Sequence, residues 1–195
     1  ELSLTLTIGN LDKVLAELKQ APKDIDRIIN NEFKAFGKDM ENKAKLNAPV
    51  NEGKLRQSIS HTTTNLQVKV SVNVDYAAFV EFGTKRFAAE WVATLPPDWQ
   101  AFAATFKGKG GGNFTQLFYR ILQWVTIKGV AATHSVKTKK RINSKANQQT
   151  EREVAYAITL SILKNGIHAQ PYFYPAFNET KIDLIKNLKK QLNAK

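Results

Sequence analysis

Apolar side chains at Ile25, Ile28, Ile29, Phe33, Phe36, Met40 and Ala44 trace one stripe at helical spacing. The stripe must stop before Pro49, because the residue ahead of a proline disfavours the helical region. Together they predict one amphipathic helix of about 25 residues, roughly 37 Å long. Such a stripe needs a sheet to lie on, and the sheet follows at once. Leu55 to Thr63 and Leu66 to Val74 read as two strands, the second with Leu66, Val68, Val70, Val72 and Val74 on one face and Gln67, Lys69, Ser71 and Asn73 on the other. Thr64 and Asn65 are expected to form the hairpin turn.

The flanks complete the pattern. Leu2, Leu4, Leu6 and Ile8 alternate like a half-buried strand that ends at Gly9, and Asn10 would cap a short helix bearing Leu11, Val14, Leu15 and Leu18. Pro22, Asp24 and Asp26 suit the first turn of the long helix. Tyr76, Phe79 and Phe82 recur every three residues, as in a short helical turn dropping aromatics onto the sheet, closed by Gly83. Phe177, Lys181, Leu184, Ile185, Leu188 and Leu192 trace a C-terminal helix expected to pack on the core, the alternative being a neighbouring subunit, with Lys186, Lys189, Lys190 and Lys195 toward its negative end. The expected class is α+β: a small antiparallel sheet packed by a long N-terminal helix and a C-terminal helix, with a helical-hairpin insertion.

That insertion is expected over residues 87–166, leaving 1–86 plus 167–195 as the α+β core. Leu95-Pro96-Pro97-Asp98 marks a turn. Lys107-Gly108-Lys109-Gly110-Gly111-Gly112 reads as a loop tip, since its glycines lack P-loop spacing and no Gly-Lys-Ser/Thr follows. Asn113 caps a helix carrying Phe114, Leu117, Phe118, Ile121, Leu122, Trp124 and Val125 and stopping at Lys128-Gly129. A second helix runs from about Gln149 through Val154, Ala157, Ile158, Ser161 and Ile162 to Lys164, closed by Asn165-Gly166. Val130 to Gln148, polar and basic, is expected to be a mobile connector.

Charge gathers in the same place. The chain has 29 Lys plus Arg against 17 Asp plus Glu, a net +12, yet basic and acidic residues cancel from Glu1 to Asp98. From Trp99 to Thr150 there are nine basic residues and no acid. A field so concentrated suits a polyanion or an acidic protein. Lys128, Lys137, Lys139, Lys140, Arg141 and Lys145 are therefore candidate contacts for a partner or for DNA phosphates.

The order of several short motifs is itself informative. Ala48-Pro49-Val50, Gly53, Leu55-Arg56 and Ser58-Ile59 precede the hairpin; Tyr76-Ala77, Phe79, Glu81 and Gly83-Thr84 follow it; Gln170-Pro171-Tyr172-Phe173 and Pro175-Ala176 lead into the last helix. This succession resembles the tail-completion or neck protein family of long-tailed bacteriophages, over about residues 1–86 and 150–195. Glu52 stands where the family's usual form has Thr before the glycine, and compact members lack the stretch from Phe87 to Gln149. The motif residues Pro49, Gly53, Leu55, Arg56, Tyr76, Phe79, Glu81, Gly83, Thr84, Pro171, Phe173 and Pro175 are read as structural, with Glu81 and Thr84 capping or bracing the turn beside Gly83.

Little else suggests chemistry. The chain has no cysteine, which excludes disulfides, thiolate metal sites and a thiol nucleophile. His61, His134 and His168 are scattered, without partners at ligand spacing, and are expected on surfaces or loops. No nucleophile elbow, dinucleotide-binding glycine pattern or carboxylate pair appears. No stretch approaches the roughly 18 to 20 apolar residues that cross a bilayer, and a soluble, non-secreted, non-enzymatic protein without cofactor or metal is expected. The resemblance implies a structural virion protein, assembled in the host bacterial cytoplasm, that joins tail to head as a ring around the DNA channel. A hexamer is implied by analogy with neighbouring tail rings. The expected partners are copies of itself and adjacent neck, terminator or tail-tube proteins, with non-specific contact to channel DNA and none to membrane. The alternative is a nucleic-acid-binding module using the basic 128–145 segment.

Overall fold

The computed structural model describes residues 4–8, 24–108, 113–131 and 144–193. The short helix expected over 11–18 lies outside them. The chain divides into two compact units, Glu1–Gly83 with His168–Lys195, and Thr84–Ile167.

The first unit is α+β. A three-stranded antiparallel sheet has β3 (Gln67–Val72) at its centre, between β1 (Leu4–Ile8) and β2 (Ile59–Thr64). Leu4 pairs with Val72 on one side, and Ile59 pairs with Val72 on the other. Val68, Val70 and Val72 are buried as their alternation requires. The long helix α1 (Ile25–Asn47) lies on β2 and β3 with Ile29, Phe33, Phe36, Met40 and Ala44 buried. Gly37 lets it come close: a Cβ there would stand 2.8 Å from His61 Cδ2 and 2.9 Å from Val68 Cγ2. The C-terminal helix α8 (Phe173–Asn193) packs on α1, with Phe177 meeting Phe36 edge-on at 6.4 Å and Lys43 pairing with Glu179 at 3.3 Å.

Three expectations are corrected here. The first expected strand begins as a helical turn, α2 (Lys54–Gln57), and becomes strand only at Ile59. Gly53, at φ +79°, starts that turn and lets Leu55 bury. The hairpin turn is Asn65-Leu66 rather than Thr64-Asn65, and the second strand is shorter than Leu66 to Val74. Leu66 sits at φ +53°, held there because its N–H donates to Asn30 Oδ1 at 2.8 Å while Asn30 Nδ2 donates to Asn65 Oδ1 at 3.0 Å. A side chain from α1 thus does what a glycine would do in the turn. In the third case the short helix α3 (Ala77–Phe82) does form, but it buries Ala77, Ala78, Glu81 and Phe82, while Tyr76 stays exposed. Helical geometry puts positions 78 and 82 on one face, whereas two successive three-residue steps drift about 120° around the axis, so Tyr76, Phe79 and Phe82 do not share one face.

The second unit is helical: α4 (Lys85–Val92), α5 (Pro97–Ala104), α6 (Phe114–Lys128) and α7 (Lys145–Asn165). The first two were not anticipated; α5 begins with Pro97 at its first position and buries Trp99, whose ring meets Phe102 edge-on at 5.6 Å. Asn113 caps α6 by accepting from the Gln116 N–H at 2.8 Å, and Gly129 ends it at φ +63°. Helix α7 begins four residues before Gln149, because Ser144 caps it, so Lys145 is helical. Its buried side is Asn147, Glu151, Ala155 and Thr159, while the expected Ala157 and Ser161 are exposed. Glu151 is tolerated there in part because Thr126 Oγ1 of α6 donates to it at 3.0 Å. The expected mobile connector falls largely on residues 132–143, outside the described residues.

Candidate functional site

The motif residues of the first unit converge on helix ends, which are electrostatically demanding places. The first four N–H groups and last four C=O groups of any helix lack partners within it. At the start of α8 those donors belong to Tyr172, Phe173, Tyr174 and residue 175. Residue 175 is proline and has no N–H. The other three donate to a single carboxylate: Tyr172 and Phe173 to Glu81 Oε2, both at 2.8 Å, and Tyr174 to Glu81 Oε1 at 2.9 Å. Glu81 is fully buried. It comes from α3, 91 residues before Tyr172 in the chain. The Gln170 N–H donates to the Val80 carbonyl at 2.8 Å, so the same short helix also aligns the approach to α8.

Burial raises the Glu81 carboxyl above its ordinary value, and the three amides offset that only in part. The helix dipole favours negative charge at that end. Burial, followed by the nearby Glu81 and Tyr76 charges, drives the Tyr172 phenol well up, so it stays protonated. Glu81 therefore caps α8, rather than the turn beside Gly83 as expected. Among the described residues its hydrogen-bond partners are these three backbone amides.

The end of α1 is closed in a complementary way. Ala48 leaves the helix extended, ahead of Pro49, and Arg56 of α2 donates from Nε to the Ala48 carbonyl and from Nη2 to the Leu46 carbonyl, both at 3.3 Å. A cation thus meets the negative end of α1 as an anion meets the positive end of α8. Ser58 Oγ donates to the Leu55 carbonyl at 2.8 Å, closing α2, and Asn73 N–H donates to the Ser58 carbonyl at 3.2 Å. Gly83, buried at φ +74° and ψ −169°, ends α3 in a conformation reserved for glycine.

Thr84 opens the second unit. Its N–H donates to the Ile167 carbonyl at 2.9 Å, and its Oγ1 accepts from the Ile167 N–H at 2.8 Å. Gly166 makes room for this clasp: a Cβ there would stand 2.2 Å from the Thr84 carbonyl oxygen.

Two of the six basic candidates lie among the described residues. Lys128 ends α6 and Lys145 begins α7, both exposed; Lys137, Lys139, Lys140 and Arg141 lie outside the described residues. Pro171 is half-buried just ahead of α8, Phe173 fills the core, and Phe79 is half-buried. His168 is exposed and His134 is outside the described residues. His61 departs from the surface expectation: it faces α1 from β2, its Nδ1 2.5 Å from Glu41 Oε2, which also accepts the His61 N–H at 3.1 Å. Lys45 pairs with the other Glu41 oxygen. Burial raises the Glu41 carboxyl, but the Lys45 and His61 hydrogen bonds and charges outweigh it and leave it below its ordinary value. Spacing could not show this set, since 20 residues separate its members, and only the pairing of α1 with β2 joins them. Among the described residues, no group of three His, Asp or Glu side chains is placed to hold a metal, and no helix is long and apolar enough to cross a membrane.

No curated protein and no solved structure matches this chain. The segment that carries β2, β3, Arg56 and Glu81 does have a match: residues 12–83 fit the family described as "Bacteriophage HK97-gp10, putative tail-component", the phage tail-component family that the order of motifs resembles.

Proposed function

We propose that this chain is a structural virion protein of the phage neck, completing the tail and joining it to the head as a ring subunit around the DNA channel. The reading is carried by the match over residues 12–83 to a phage tail component. The motif residues support it physically, because those with defined bonds hold backbone at helix ends and so brace the fold. A subunit of a ring works by shape: each copy presents heterologous surfaces whose rotation must close. The rigid α+β unit would set that geometry, and the basic second unit would guide docking to acidic neighbouring layers or touch channel DNA.

Deleting the gene from its phage tests the reading. Filled heads and separate tails that fail to join, rescued by the wild-type chain, are expected; complete and infectious particles would overturn it. Replacing Lys137, Lys139, Lys140 and Arg141 by Ser distinguishes the routes of docking, since unchanged joining would assign it to other surfaces. The acid-free composition of 99–150 favours a second reading, a nucleic-acid-binding module using residues 128–145. Tight duplex binding by the purified chain, falling with salt at a log–log slope of about 0.9 per phosphate contact, without any association with tail or neck proteins, would replace the first reading by the second.

A further inference from the structure

Helix α7 has an unsatisfied face. Asn147, Glu151, Ala155 and Thr159 are buried, and Val154, Ile158 and Ile162 are half-buried beside them. On the opposite flank, Tyr156, Leu160 and Leu163 are 50%, 45% and 40% exposed. Their spacing of four and then three residues is that of a coiled-coil seam. Phe114 of α6 is 38% exposed and lies 5.7 Å from the Tyr156 ring, so the stripe continues onto the neighbouring helix. Single exposed apolar residues are ordinary, but an aligned run of them marks a binding surface.

Charge decides what covers it. Residues 84–167 hold 13 basic residues against 4 acidic, a net +9. Arg152 and Lys164 are exposed at the two ends of the stripe, against one exposed acid between them, Glu153, which accepts from Gln149 at 2.8 Å and keeps its charge. A second copy would bring the same positive unit against this one. Nucleic acid would match the charge but leave Leu160 and Leu163 against sugar and phosphate. We propose that the Phe114–Tyr156–Leu160–Leu163 stripe docks an acidic amphipathic helix of a different protein, seam against seam. This inference stands apart from the neck reading, because the stripe lies outside the matched residues 12–83.

The full chain can be titrated with a labelled synthetic peptide of three heptads, Leu at the a and d positions and Glu at e and g. A scrambled peptide of equal composition retains the charge and loses the seam. The seam peptide is expected to bind at least about tenfold tighter than the scrambled one. Leu160→Ser with Leu163→Ser should remove that preference while the circular dichroism spectrum and thermal midpoint stay unchanged, as befits exposed positions. Absence of binding, equal binding of the scrambled peptide, or full binding by the double variant would each overturn the proposal. So would sedimentation showing a wild-type dimer that the double variant dissolves, which would make the occupant a second copy. Duplex DNA binding lost in the same variant would overturn it in favour of nucleic acid. None of these results bears on whether heads join tails, so the two proposals fail separately.

Discussion

A single carboxylate, Glu81, satisfies every donor at the start of α8, and Pro175 removes the one it could not reach. Glu81→Ala leaves two buried amides and one half-buried amide without a partner, at a cost of about 3 kcal/mol or more. Glu81→Gln keeps one accepting oxygen and should cost less. Urea unfolding measures both, and an Ala variant within about 0.5 kcal/mol of wild type would contradict the capping role. Gly37 offers a second test at this scale. Gly to Ala inside a helix ordinarily gains up to about 1 kcal/mol. Here the added methyl would press on His61 and Val68, and a net loss of about 1 to 3 kcal/mol is expected instead. A stabilised Gly37→Ala protein would show that α1 does not approach the sheet as closely as described.

Between elements, the joints are ionic. Arg56 bridges two carbonyls at the end of α1 with its planar fork, so Arg56→Gln should cost about 1 kcal/mol, and Lys should rescue it only in part because an ammonium is a single point. Glu41 joins α1 to β2 and gives a pH signature. Its folded-state pKa is lowered, so the stability it adds is present above the ordinary value of 4.5 and is lost as the pH falls through the folded value. The stability gap between wild type and Glu41→Gln, measured by denaturant titration, should therefore be widest near neutrality and close in acid; a gap that widened in acid would refute this. Elements with long periodic signals were legible in the sequence: the stripe from Ile25 to Ala44, the valines of β3, and the Asn113 and Gly129 caps of α6. What escaped depends on a contact distant in sequence, on a lone local cap, or on patterns too short to read. Leu66 turns because Asn30 holds it, α7 starts early because Ser144 caps it, and α4 and α5 carry short patterns bounded by no strong signal. The motif residues were visible as a set, but Glu81 revealed its task only once α3 and α8 were placed together.

At the scale of the molecule, the matched α+β unit and the basic helical unit divide the labour proposed above. The family match covers residues 12–83 of the first, without its C-terminal residues 168–195, and the charge and the open α7 stripe belong to the second. The central claim is that this protein acts by fitting among copies of itself and adjacent viral layers. Electron cryomicroscopy of joined particles tests it most directly. Density for this chain should appear as a closed ring encircling the channel at the junction of head and tail, with neighbouring copies in contact. Joined particles in which the chain is absent from that junction would contradict the account.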